Sequence, residues 1–274
     1  MRGLFTAASG MLSSQLNLDR VANDLANVNT VGYRGEIFTH RSYPGATIHR
    51  FEGTSPFRLA ATGRFSRGTV AAIRPVVGRI GQGTAIDGVY LNTEHGLLRE
   101  TGNPLDVALE DDSFLQVVTP QGVLLTRAGN LTLDANGFLV TADGEPVLGE
   151  AGPLRVPPPG AGGAGAARVE IDADGRLLVD GVVQGRLARV TVPRPELLEP
   201  AGANRFRVTG GSGAATPVPA GSGGVRSGWL EFANVSPITA MVEMIAATRT
   251  YEAAAKVVQA YDEQYGRLIN AVLA

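Results

Sequence analysis

The densest group of chemically able side chains in this 274-residue sequence is Glu110-Asp111-Asp112. Carboxylates so close together could hold a cation, or supply the acid and base of a glycan hydrolase, which needs two carboxyl groups across a cleft. The run lacks the regular ligand alternation of a calcium loop and sits between β-like segments, so it reads as a solvated hairpin turn. Asp172-Ala173-Asp174-Gly175 reads the same way. The three histidines, His40, His49 and His95, lie in linker-like sequence and lack metal-ligand spacing. Gly81-Gln82-Gly83 lacks the following helix and lysine of a phosphate loop. There is no Gly-x-Ser-x-Gly, and no cysteine for thiolate catalysis, disulfides or thiolate metal sites. The expectation is a chain that is not an enzyme, with no catalytic, cofactor-binding or metal residue and no cofactor.

A formal net charge of −2 offers no electrostatic case for nucleic acid or an anionic membrane. No stretch approaches the ~20 apolar residues of a membrane span, so the chain is not expected to be membrane-spanning. Thr6, Ser9, Ser13, Ser14, Gln15 and Asn17 interrupt the first apolar segment, which argues against a cleaved signal peptide.

The remaining information is in the elements, and the two ends complement each other. Residues 237–274 read as one helix of about 36 residues, roughly 54 Å long. Met244, Tyr251, Val258, Tyr265 and Val272 recur every seven residues, with Ala247, Ala254, Tyr261 and Leu268 three residues after the first four. Glu243, Arg249, Glu252, Lys256, Asp262, Glu263 and Arg267 all miss both series. That is the seam of a helix needing a partner helix. Residues 3–29 supply one, with Leu4, Met11, Leu18 and Leu25 in one series and Ala7, Ser14, Val21 and Val28 in the other. The back of this first helix is small or amide-bearing (Ala8, Ser9, Gly10, Ser13, Asn17, Asn23, Asn27, Asn29), open either to solvent or to close approach by another backbone. Gly32 suits a left-handed C-cap. At the other end, Ser236-Pro237 reads as an N-cap followed by proline at the first helical position.

Between the helices, the 36 glycines and 16 prolines cluster around short β-like runs. Residues 35–84 read as an extended linker leading into strands at about 70–74 and 84–91. Strands follow at 105–109, 114–118, 123–126, 131–133, 137–140, 146–148, 169–171, 177–179, 187–192 and 204–208. Turns every 8–12 residues separate the clearest of them, which argues antiparallel hairpins in a sandwich or barrel. Residues 151–167 read as a low-complexity loop and 209–224 as part of a flexible linker.

Three segments carry a resemblance. Asn23-Asp24-Leu25-Ala26-Asn27-Val28-Asn29-Thr30-Val31-Gly32-Tyr33-Arg34, preceded by Gly3-Leu4-Phe5-Thr6-Ala7-Ala8-Ser9-Gly10-Met11, is the first. Thr101-Gly102-Asn103-Pro104-Leu105-Asp106-Val107-Ala108-Leu109 with Thr126-Arg127-Ala128-Gly129-Asn130 and Asp134-Ala135-Asn136-Gly137-Phe138-Leu139-Val140 is the second. Gly228-Trp229-Leu230-Glu231-Phe232-Ala233-Asn234-Val235, with Met241 to Ile245, Arg249, Tyr251-Glu252 and Lys256, is the third. The whole resembles the flagellar hook–basal-body family, in particular its rod proteins of proximal or distal type; the opening segment tilts it toward the proximal. It departs from the family at Glu110-Asp111-Asp112-Ser113-Phe114-Leu115, where a G-x-G-F-F run is usual, and at Ala253, where asparagine is usual.

The resemblance implies an α+β fold, with long N- and C-terminal helices pairing as a coiled-coil-like domain and a central antiparallel all-β domain. The expected divisions are 1–34, 35–84 (linker), 85–208 (β domain), 209–227 (linker) and 228–274. It further implies a structural subunit of the basal-body rod crossing the periplasm. Its expected partners are copies of itself, other rod and hook proteins, and the flagellar type III export apparatus. The assembly interface expected on the terminal helices comprises Leu4, Met11, Leu18, Asn23, Leu25, Asn27, Met244, Tyr251, Val258, Tyr261, Tyr265 and Leu268. The other readings are a hook-type or other self-assembling extracellular protein, or a peptidoglycan-cutting enzyme.

Overall fold

The computed structural model describes residues 2–49, 76–157 and 168–273. It is α+β: helix α1 (Arg2–Ala26), a mostly antiparallel β region, and helix α2 (Pro237–Leu273, 37 residues). The chain divides into two compact units.

The larger unit comprises Asn17–Thr39 and Gly88–Ala246. Its centre is the hairpin of β7 (Phe114–Thr119) and β8 (Gly122–Thr126), turned at Pro120-Gln121. Arg205–Arg207 and Glu199–Pro200 extend the sheet beyond β8, and Arg189–Thr191 and Thr216–Pro217 beyond β7, giving six antiparallel strands. The hairpin is apolar on both faces. Leu115, Val117 and Leu124 enter one core with Val107, Leu109, Leu139, Val147, Leu177 and Leu187. Phe114 and Leu125 enter a second with Leu91, Val190, Leu198 and Phe206. Each such side chain taken fully out of water contributes roughly 1.5–3 kcal/mol. Val169–Ile171, Arg176–Val179 and Val182–Arg186 form a three-stranded meander; its third strand, mostly exposed, has no apolar alternation to show it in sequence.

The smaller unit comprises Met1–Leu16, His40–Asp87 and Ala247–Ala274. In it β2 (Ala46–His49) pairs with β3 (Val76–Ile80). The small face of α1 meets this β segment: the Ser9 hydroxyl accepts from Thr84 N at 3.3 Å, and Ser13 Oγ lies 3.2 Å from His40 Nδ1. Close approach accounts for the small side chains of Ser9 and Ser13, whereas nothing lies within 4 Å of where a Gly10 Cβ would be.

Several readings of the middle change. The stretch 35–84 contains β1 (Glu36–Ser42), β2, β3 and the start of β4 (Thr84–Leu91), with β1 paired to β4. Most of β1 is exposed, so it lacks the period-two apolar signal of a half-buried strand. The strand expected at 70–74 and most of the loop 151–167 lie outside the described residues. The stretch 209–227 also holds structure. Thr216–Pro217 closes one edge of the six-stranded sheet, Val225–Ser227 pairs with β6 (Val107–Leu109), and Ser212 is buried.

Candidate functional site

The three segments that carry the resemblance meet at Glu231. Strand Trp229–Glu231 pairs with β5 (Leu98–Glu100), which turns the Glu231 carboxylate inward. Its Oε1 accepts from Arg34 Nη2 at 2.8 Å and from Gly96 N at 2.9 Å, and its Oε2 accepts from Arg127 Nε at 2.9 Å. The Glu231 and Arg127 side chains are 1% and 2% exposed, and that of Arg34 is 3%. Arg127 also donates to the carbonyls of Ser113, Leu109 and Asp111, and lies 3.2 Å from His95 Nδ1. A buried charge holds its state only with such partners, because desolvation costs several kcal/mol per ion.

Backbone bonds run through the same place. Glu231 O accepts from Gly32 N at 2.8 Å, and Gly35 O from Asn92 N at 2.8 Å. Asn234 accepts from Gly35 N and donates to the carbonyls of Asn92 and Glu94. Gly32 sits at φ +68° with the Arg127-Ala128 backbone where a Cβ would be, so no other residue fits without rearrangement. The turn after α1 is therefore both a helix stop and a docking point.

A second knot lies one turn back on α1. Arg20 donates to Asp24 Oδ2 at 2.8 Å, to Glu36 O at 3.2 Å and to Glu243 Oε2 at 2.9 Å on α2, and its guanidinium lies 5.7 Å from the Phe38 ring centre. Tyr33 donates to Asp24 Oδ1 at 2.8 Å. Burial raises the Asp24 carboxyl above its ordinary value despite the Tyr33 bond and Arg20. Burial, with the neighbouring Asp24 charge, raises Glu36 as well. Tyr33 is pushed up by burial and by its bond to Asp24. Arg34 is pushed down to about 10, by burial first and the Arg127 charge second.

The carboxylate run disperses onto separate bases. Glu110 pairs with Arg226 at 2.5 Å, Asp111 with Arg189 at 3.0 Å, and Asp112 with His95 at 3.1 Å. The reading of this run as a solvated turn is corrected in part, since Arg189 is buried. The three acids do not converge as a cation site or as a pair across a cleft.

The residues expected at the assembly interface divide by burial. Leu4, Met11, Leu18, Leu25, Asn27, Met244, Tyr251, Val258 and Tyr261 are half-buried; Asn23, Tyr265 and Leu268 are exposed. Along α2 the covered positions from 240 to 261 fall mainly at Ala240, Met244, Ala247, Tyr251, Ala254, Val258 and Tyr261. Contacts that join the helices directly include Arg20 to Glu243, and Gly3 beneath the Tyr261 ring, whose hydroxyl lies where a Gly3 Cβ would be. The residues of the Glu231 knot were not singled out by the sequence reading. Arg34, Arg127 and Glu231 each lie in or beside a quoted motif, but nothing in one chain pairs residues so far apart in sequence.

Short antiparallel strands follow one long helix in the sequence and precede another, and a buried charge knot ties the segments that flank both helices to the β region. Comparison with known proteins gives the class: residues 108–179 match the flagellar hook protein FlgE/F/G D1 domain, and residues 226–271 the flagellar basal body rod FlgEFG protein C-terminal domain. The chain is 34% identical to the flagellar basal-body rod protein FlgG of Borreliella burgdorferi, with 97% of each chain covered. It is 31% identical to that of Bacillus subtilis, with 98% of each covered. It is 30% identical to the rod protein FlgF of Mesorhizobium japonicum, over 91% of this chain and 88% of that one. The chain belongs to the flagellar basal-body rod proteins and is a structural subunit of the rod. No helix among the described residues is long and apolar enough to cross a membrane.

Proposed function

We propose that the subunit polymerises through its terminal helices into a helical tube that transmits torque. The observation that carries this is an apolar stripe on the outside of α2: Ile238 (73% exposed), Met241, Val242 (62%) and Ile245 recur at i, i+3, i+4 and i+7, off the heptad seam. Phe5, Leu12 and Leu16 are similarly exposed on α1. In this reading the seam residues, Leu4, Met11, Leu18 and Leu25 with Met244, Tyr251, Val258, Tyr261 and Leu268, pair α1 with α2 as a coiled-coil-like inner domain of residues 1–34 and 228–274. The outer stripes and the amides of Asn23 and Asn27 then meet other copies and neighbouring rod and hook proteins. A contact between different patches on identical subunits does not close on itself and generates a helix.

Export through the flagellar type III apparatus without a cleaved signal completes the reading. It has no catalytic step. The test is Ile238→Asp with Ile245→Asp. The far-ultraviolet spectrum of the purified chain should be unchanged while sedimenting polymer and swarming motility are lost. Polymer formed as by the parent chain would rule the stripe out.

A further inference from the structure

Met241 stands in the middle of the apolar stripe on α2, three residues after Ile238 and four before Ile245. The helical repeat sets the three side chains on one face. Met241 is 49% exposed, whereas Met11 and Met244, the other methionines whose side chains are described, are half-buried. The chain has no cysteine, so no thiol of its own competes for an oxidant and its only sulfur is thioether. A thioether is apolar and flexible and fits an irregular apolar contact. Its sulfoxide is polar and carries an oxygen that requires a hydrogen-bond donor. The side chains beside it on the stripe, Ile238, Val242 and Ile245, have no donor to give. Taking that oxygen out of water against such a surface opposes docking.

Taking the stripe as the contact between copies, on which the inference depends, we propose that Met241 is a modification site where peroxide switches off the assembly face of the free subunit. The thioether sulfur gives an electron pair to one oxygen of hydrogen peroxide. The S–O bond forms, the O–O bond breaks, and the other oxygen leaves as hydroxide, which takes the proton of the transferred oxygen and becomes water. Methionine is oxidised by two electrons to its sulfoxide, and the peroxide is reduced to water. Enzymatic reduction of the sulfoxide restores the apolar side chain, so the change is reversible. A docked subunit has the residue covered, so the modification acts on subunits before assembly and spares the built rod.

The full-length chain is treated with hydrogen peroxide and its methionines are followed by peptide mass mapping. Sulfoxide should accumulate at Met241 before Met11 and Met244, with the far-ultraviolet spectrum unchanged. The lowest concentration that gives sedimenting polymer should then rise by about tenfold or more. Met241→Leu, which keeps the apolar bulk without the sulfur, should polymerise as the parent does and continue to do so after peroxide. Met241→Gln, a polar side chain of similar length, should behave without treatment as the oxidised parent does. Sulfoxide formed no faster at Met241 than at the other two, polymer lost equally from peroxide-treated Met241→Leu, or parent-like polymer from Met241→Gln each overturns the switch. The Ile238→Asp, Ile245→Asp double variant separates the two failures. If it polymerises as the parent does, the stripe falls and the switch with it; if it does not, any of those three results removes the switch alone.

Discussion

Glu231 is the residue on which the junction turns, because it neutralises Arg34 and Arg127 at once while its carbonyl holds Gly32. Glu231→Gln leaves two buried cations without a carboxylate. We expect a loss of about 3–5 kcal/mol, the usual cost of breaking a buried pair from one side, read as a lower urea midpoint. Glu36 should behave in the opposite sense. Its folded pKa lies above the ordinary 4.5, so its ionised form opposes folding. The stability it contributes is complete below the unfolded pKa and is lost as pH rises through the folded one. Glu36→Gln is therefore expected to be more stable than the parent near neutral pH, and the advantage should shrink as pH falls toward 4.5. Urea midpoints of both chains across that range check the sign. Little of this was legible in sequence. Glu231, Arg127 and Arg34 are ordinary charged residues in a chain whose charges are mostly at the surface, and only the fold sets them 2.8–2.9 Å apart. The run Glu110 to Asp112 stood out by density, yet its arginine and histidine partners come from elsewhere in the chain.

The helices are the elements that sequence describes best, since a 3.6-residue period repeated over many turns is a strong signal. The expectation of 237–274 stands against Pro237–Leu273, and 3–29 against Arg2–Ala26. The small strands were harder. Glu36–Ser42 and Val182–Arg186 are mostly exposed and so show no alternation, and Thr216–Pro217 is a two-residue edge. At this scale the contact of Gly3 with Tyr261 gives a test of helix pairing. Gly3→Ala raises helix propensity by up to about 1 kcal/mol and should stabilise an isolated helix. Against Tyr261 it should destabilise instead, because the Tyr261 hydroxyl and the ring carbons beside it all lie within 3.0 Å of an added Cβ, and Gly3→Ala in a Tyr261→Ala background, where that ring is gone, should show no such penalty. A double-mutant cycle on thermal midpoints measures that coupling. Additive effects would mean that the two residues do not touch in solution.

For the molecule as a whole, the β body is built around two apolar cores, and the family's middle motif contributes Val107, Leu109 and Leu139 to one of them. The chain-end motifs are instead spent on joining. They knot the N-terminal turn and the C-terminal strand to the body, and α2 carries its apolar stripe from there. The heptad seam marks residues that are mostly half-buried within the subunit, whereas Ile238, Val242 and Ile245 lie off the seam and are more than half exposed.

The chain has no cysteine, so one introduced thiol is unambiguous. The most direct test is Val242→Cys in basal bodies isolated from cells that carry only this chain as the subunit, treated with a short bifunctional maleimide. Gln121→Cys, on the exposed turn of the central hairpin, serves as comparison. Dimers and higher ladders of this chain are expected from the helix thiol, far outnumbering those from the hairpin thiol. Ladders from the hairpin with only monomer from Val242→Cys would contradict assembly through the terminal helices.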